Sequence, residues 1–115
     1  AERRAELERS GIEYLQAWLQ AVRETEDLLH TLQAVRTQLR LSEQRNQVAT
    51  ELFEASRRRY ERGISDYLPV LAALRTLQQQ QRDHLALQAE QLRVIVRLHS
   101  AMGLPGPTAE GNEDG

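Results

Sequence analysis

From Leu7 to Tyr60, apolar and small residues return in a heptad rhythm without a break. One set of positions is Gly11, Trp18, Thr25, Leu32, Leu39, Asn46, Phe53 and Tyr60. The other is Leu7, Tyr14, Ala21, Leu28, Val35, Ser42, Ala49 and Ser56. Spacings of three and four place both sets on one stripe of an α-helix, the seam that a coiled coil buries. A second apolar stripe runs beside it through Ile12, Leu15, Leu19, Val22 and Leu29, and resumes at Val48, Leu52 and Ala55. A helix with two apolar stripes should pack on neighbours on both sides. Past residue 66 a second helical pattern begins. Its apolar positions are Leu71, Leu74, Leu77, Leu85, Leu92, Ile95, Leu98 and Met102, with Val70, Leu87, Val94 and Val96 alongside. No stretch alternates apolar and polar residues as a half-buried strand would.

These patterns predict an all-α chain: helix 1 over residues 2–62, a turn at 63–66, helix 2 over 67–102 and a flexible tail at 103–115. A short connection makes the helices antiparallel neighbours, so the expected fold is a long helical hairpin whose first helix is the longer. Gly63 suits the left-handed residue that ends helix 1, and Ile64 suits the apolar residue that follows it. Asp66 is the expected N-cap of helix 2, with Ser65 as the alternative. An Asp66 cap puts Pro69 at the third helical position, where no helical amide bond is lost. Gly103 is placed to cap the end of helix 2.

Folding the chain about Ile64 sets Phe53 against Arg75, Leu39 against Ala89 and Leu32 against Val96. It also brings the polar runs SEQRNQ (42–47) and QQQQRDH (78–84) level, so the middle of the hairpin should be its least apolar part. Helix 2 then ends level with about residue 26. Residues 1–25 are left without a partner, although they carry Ile12, Tyr14, Leu15, Trp18, Leu19 and Val22. Soluble monomers rarely expose such a patch. These six residues are therefore expected to make contacts between copies. The hairpin should associate into a helical bundle, with an antiparallel dimer as one form open to the isolated chain.

Composition narrows the function. Four of the six glycines and two of the three prolines fall in the last thirteen residues, and the rest is rich in Leu, Ala, Gln, Glu and Arg, the composition of long helices. A formal net charge of −2 argues against a nucleic-acid partner. With no cysteine, a disulfide or thiolate metal site is excluded. No apolar run approaches the roughly 18 residues of a membrane-spanning helix. The chain opens inside a helical pattern, AERRAELERS, as a piece of a larger protein would.

Candidate chemistry is sparse. His30 and His99 fall level across the hairpin and, with Glu26 or Asp27, could ligate a metal, but they read better as surface residues; no dense motif such as H-E-x-x-H is present. Arg57, Arg58, Arg59 and Arg62 form a basic cluster that could dock an acidic partner, or simply complement the helix C-terminus. Asn46 could set register from within the seam, although a solvent-facing place in the polar middle is preferred. Trp18 reads as buried packing. There is no nucleophile with a base nearby, no glycine-rich phosphate loop and no carboxylate pair in a cleft, so neither an enzyme nor a cofactor is expected.

The stretch RRRYERGISDYLPVLAALRTLQQQQ resembles the periplasmic hairpin of TolC-type outer-membrane efflux proteins. The shared pattern is Y-x-x-G, a short polar step, an aromatic-Leu pair and V-L-x-A-x-R-x-L. Upstream, EYLQAWLQAVRETEDLL resembles the segment preceding that hairpin; downstream, LRVIVRLHSAMG resembles its closing helix. The resemblance spans roughly residues 1–103 and implies the helical part of the family's second repeat. It implies a segment of the α-helical tunnel that three subunits build across the periplasm of Gram-negative bacteria, below a β-barrel in the outer membrane. It also implies a channel tip of Tyr60, Gly63, Ile64, Ser65, Asp66 and Tyr67 that meets a periplasmic adaptor (membrane fusion) protein and, through it, an inner-membrane pump. In the best-known member an arginine falls where Ser65 stands, and carboxylates that narrow the pore fall where Pro69 and Ala72 stand. The family's closing Gly-Trp is replaced here by Gly103-Leu104-Pro105. The other reading of the same residues is a coiled-coil oligomerisation module with no transport role.

Overall fold

The computed structural model describes residues 2–103. It contains two helices, α1 from Glu2 to Glu61 and α2 from Leu68 to Ala101, joined by residues 62–67. There is no strand among the described residues. The tail expected at 103–115 lies outside them, apart from Gly103.

Contacts gather into two units. Among the described residues, one holds α1 up to Leu32 together with α2 from Arg93; the other holds Gln33–Leu92. The second unit is a helical hairpin: the C-terminal part of α1, the turn and most of α2. Its core is Val35, Ser42 and Ala49 from α1 with Val70 and Ala73 from α2, all buried. In the first unit, Leu32 and Val94 are buried, and Val94 is fully so at 0% exposure.

From Ala21 to Ser56 the predicted seam of α1 is the observed one, while Leu7, Gly11, Tyr14, Trp18 and Tyr60 are exposed. Ala21, Thr25, Leu28, Leu32, Val35, Leu39, Ser42, Asn46, Ala49, Phe53 and Ser56 are all buried or half-buried. That is the 3-4 spacing of a coiled-coil core. Asn46 belongs to it, contrary to the expected solvent-facing place. Its Oδ1 is buried and has no hydrogen-bond partner.

Along α2 the predicted positions are covered in part. Val70, Ala73, Leu77, Gln80, His84, Leu87, Gln91, Val94, Leu98 and Ala101 are buried or half-buried on one line, and the predicted Leu71, Leu74 and Ile95 are half-buried beside it. The expected Leu85, Leu92 and Met102 are exposed. That line keeps perfect heptad spacing only by admitting two glutamines and a histidine, which counting apolar residues alone does not pick out.

The fold-back is corrected by two residues. His84 Nδ1 and Ser42 Oγ are joined by a hydrogen bond of 3.0 Å, whereas folding about Ile64 would set Ser42 against Ala86. The hairpin turns about Gly63 instead. The polar middle does form, as the alignment of the two polar runs anticipates.

Candidate functional site

The turn is built by backbone chemistry first. Gly63 has φ of 73°, a left-handed value that costs a side-chain-bearing residue. Ile64 N–H donates to the Arg59 carbonyl at 2.9 Å and Gly63 N–H to the Tyr60 carbonyl at 3.0 Å. This pair of bonds is the Schellman ending, which satisfies carbonyls that a helix terminus leaves free. Gly103 repeats the left-handed conformation, with φ of 71°, at the end of α2.

The start of α2 differs from expectation by one residue. Its first helical bond runs from Leu71 N–H to the Tyr67 carbonyl at 3.2 Å, so Tyr67, and not Asp66, occupies the N-cap position. Ser65 Oγ turns to the Asp66 carbonyl at 3.2 Å and caps nothing. Pro69 moves to the second helical position, where its missing N–H is equally harmless. The cause lies across the turn: the Tyr60 and Tyr67 rings pack with centroids 5.1 Å apart and planes tilted by 59°. This aromatic pair pins Tyr67 to the end of α1.

The tip that results is apolar at its summit and basic at its base. Ile64, Tyr60, Tyr67 and Leu68 are exposed large apolar residues, Leu68 the most at 73%. Leu68 was not among the predicted tip residues. Its adjacency to Tyr67 at a helix start was the available signal. Arg57 is engaged by its own helix, with Glu54 at 2.9 Å and Glu61 at 3.8 Å. Arg58, Arg59 and Arg62 are exposed at the same end. Ser65 is half-buried and Asp66 exposed.

The predicted oligomer residues lie in the first unit. Ile12, Tyr14, Leu15, Trp18 and Leu19 are exposed and Val22 is half-buried. Trp18, expected to be buried, is 56% exposed within the chain. Residues 2–20 of α1 are exposed throughout, and α2 stops at Ala101.

The hairpin of the second unit has two unlike sides. Beside the seam on one side is a polar groove lined by Gln33, Arg36, Arg40, Glu43, His84 and Gln88. On the other is a groove in which Leu41, Val48 and Leu52 of α1 face Thr76 and Gln80 of α2. Both grooves are open and shallow. His30 and His99 are exposed and are not brought together with other ligands; among the described residues no group of three His, Cys, Asp or Glu side chains converges. No helix among the described residues is long and apolar enough to cross a membrane.

The comparisons agree with this arrangement. Nothing among curated proteins and nothing among solved structures matches the chain. The profile of one family, described as outer membrane efflux protein, matches residues 1–104. That span takes in both helices, the Schellman turn and the aromatic pair at the tip, and the family is one of transport channels, not of enzymes. The chain belongs to the outer membrane efflux protein family.

Proposed function

We propose that this hairpin is a stave of the periplasmic α-helical duct of a Gram-negative outer-membrane efflux channel, and that its turn docks a periplasmic adaptor protein which links the channel to an inner-membrane pump. The observation that carries the docking is the tip itself. Four large apolar side chains, Tyr60, Ile64, Tyr67 and Leu68, are left in solvent on a turn held rigid by a Schellman ending and a ring pair. Rigid, exposed aromatic and aliphatic groups make contact at low entropic cost. The role is passive: the tip supplies a surface and needs no bound cofactor.

Association of several copies supports the same reading. Residues 12–22 carry an uncovered apolar stripe, and the hairpin bears a further one at Leu41, Val48 and Leu52. Outward stripes on α1 and on α2, at Leu85 and Leu92, suit a stave flanked by neighbours on both sides. A trimer, as in the family, satisfies this.

The test uses the full-length efflux protein. Ile64→Asp with Leu68→Asp should abolish efflux-dependent resistance and crosslinking to the adaptor, while expression and outer-membrane location stay normal. Both side chains lie outside the buried core, so the fold should survive. Unchanged resistance and unchanged crosslinking would sink the docking assignment.

A further inference from the structure

Within the hairpin of the second unit, α2 offers two apolar stripes one residue apart; near the turn members of both are covered, and beyond Leu77 only one faces α1. The stripe used is Val70, Ala73, Leu77, Gln80, His84, Leu87 and Gln91. The rival is Leu71, Leu74, Gln78, Gln81, Leu85, Gln88 and Leu92. Each has four apolar members and three polar ones, but the rival's four are all leucine. On buried apolar area the rival should win. It does not: Leu71 and Leu74 are half-buried beside the turn, but Leu85 and Leu92 are each 63% exposed.

The polar members decide. Ser42 is only 3% exposed and lies in the seam of α1. In the stripe used, His84 stands opposite it and the two side chains are bonded at 3.0 Å. A roll of α2 by one residue, about 100° at 3.6 residues per turn, would set Leu85 against Ser42 and break that bond. The next layer does not discriminate. Asn46 meets a glutamine whichever stripe is used, Gln80 now or Gln81 after the roll, and its Oδ1 is unpartnered in the stripe used. Toward the turn the register set by Ser42 and His84 puts the small, buried Ala73 level with half-buried Phe53.

We infer that the Ser42–His84 contact is a selector: it fixes the roll and register of α2 on α1 by opposing a rival packing of comparable apolar content. A single polar pair in a helical seam can choose among packings in this way, at a cost in apolar burial. The device makes the middle of the hairpin its switchable layer, with α2 able to present either Leu85 and Leu92 or Leu87 and Gln91 outward.

The chain has no cysteine, so engineered pairs report register without background. Val35→Cys with Gln91→Cys reads the observed packing; Val35→Cys with Leu92→Cys reads the rival. In the parent background the first pair should oxidise much the faster. Adding Ser42→Ala, or separately His84→Ala, should move the ratio of the two rates toward the rival by about fivefold to tenfold, the size expected for one net hydrogen bond. Alanine is the best helix former, so both variants should keep their helicity by circular dichroism. A ratio unchanged in both variants would overturn the selector. A shift with helicity retained would establish it.

Discussion

Residues 2–20 of α1 and the stretch from Ala21 to Ser56 are written in the same heptad rhythm, yet the seam of one is bare and that of the other buried. Leu7, Gly11, Tyr14 and Trp18 continue, in phase, the seam of Thr25, Leu28, Leu32 and Val35. Only the second set has α2 beside it. Periodicity therefore defines which face of a helix wants cover; it does not say whether cover is present. In this chain the answer is set by where α2 stops, at Ala101 with Gly103 in the left-handed conformation. On the reading proposed above, the bare stretch is where a second copy binds.

The contrast can be attacked most directly by placing a charge in each region. Val94→Asp, at the fully buried position of α2, should cost more than ~3 kcal/mol by urea denaturation, because a carboxylate has no partner in the seam. The same experiment on Gly63→Ala should show a loss of about 1–2 kcal/mol, the strain of a side chain at positive φ. Space is not the cause, since an added Cβ would meet nothing within 4 Å. That loss should appear in amide exchange of the hairpin and leave residues 2–20 unaffected.

Smaller effects sharpen the comparison. Tyr60→Leu removes the ring pair at the turn and should cost about 0.5–1.5 kcal/mol, again confined to the paired region. Leu15→Asp, on the bare stretch, should change the stability of the dilute chain by less than ~0.5 kcal/mol. Its effect should be on association. Trp18 is the only tryptophan, so its emission should shift to the blue as the parent chain is concentrated and copies cover it. In Leu15→Asp it should stay red at every concentration. A large stability loss in Leu15→Asp at high dilution, or a Trp18 emission already blue there, would show that the two regions are not different in kind.

How far the sequence reached is clear from particular residues. The α1 seam was legible through its paired length but for Asn46, and includes the polar Ser42, because its heptad rhythm runs unbroken there. The turn was legible at Gly63 and Ile64, where backbone stereochemistry leaves few choices. It was not legible at Tyr67, because a propensity for capping points to Asp66, while the ring pair with Tyr60 that decides the matter lies across the turn. The α2 face was legible only in part, failing at Leu85, Leu92, Val96 and Met102, for a like reason: two stripes of similar apolar content differ by a contact to a residue 42 positions away. Asn46 was misjudged because its own chemistry suits solvent and only its heptad position puts it inside.

By itself the sequence determined the helices, their stopping points to within a residue, the paired face of α1 and a surplus of apolar residues near the start of the chain. These follow from local stereochemistry and from periodicity, which act over a few residues. The tertiary structure alone decided the roll of α2, the fold-back about Gly63, the burial of Asn46 and the exposure of Trp18. Each of those depends on a balance between near-equal packings, and such a balance is settled by one or two long-range contacts that no stretch of sequence contains.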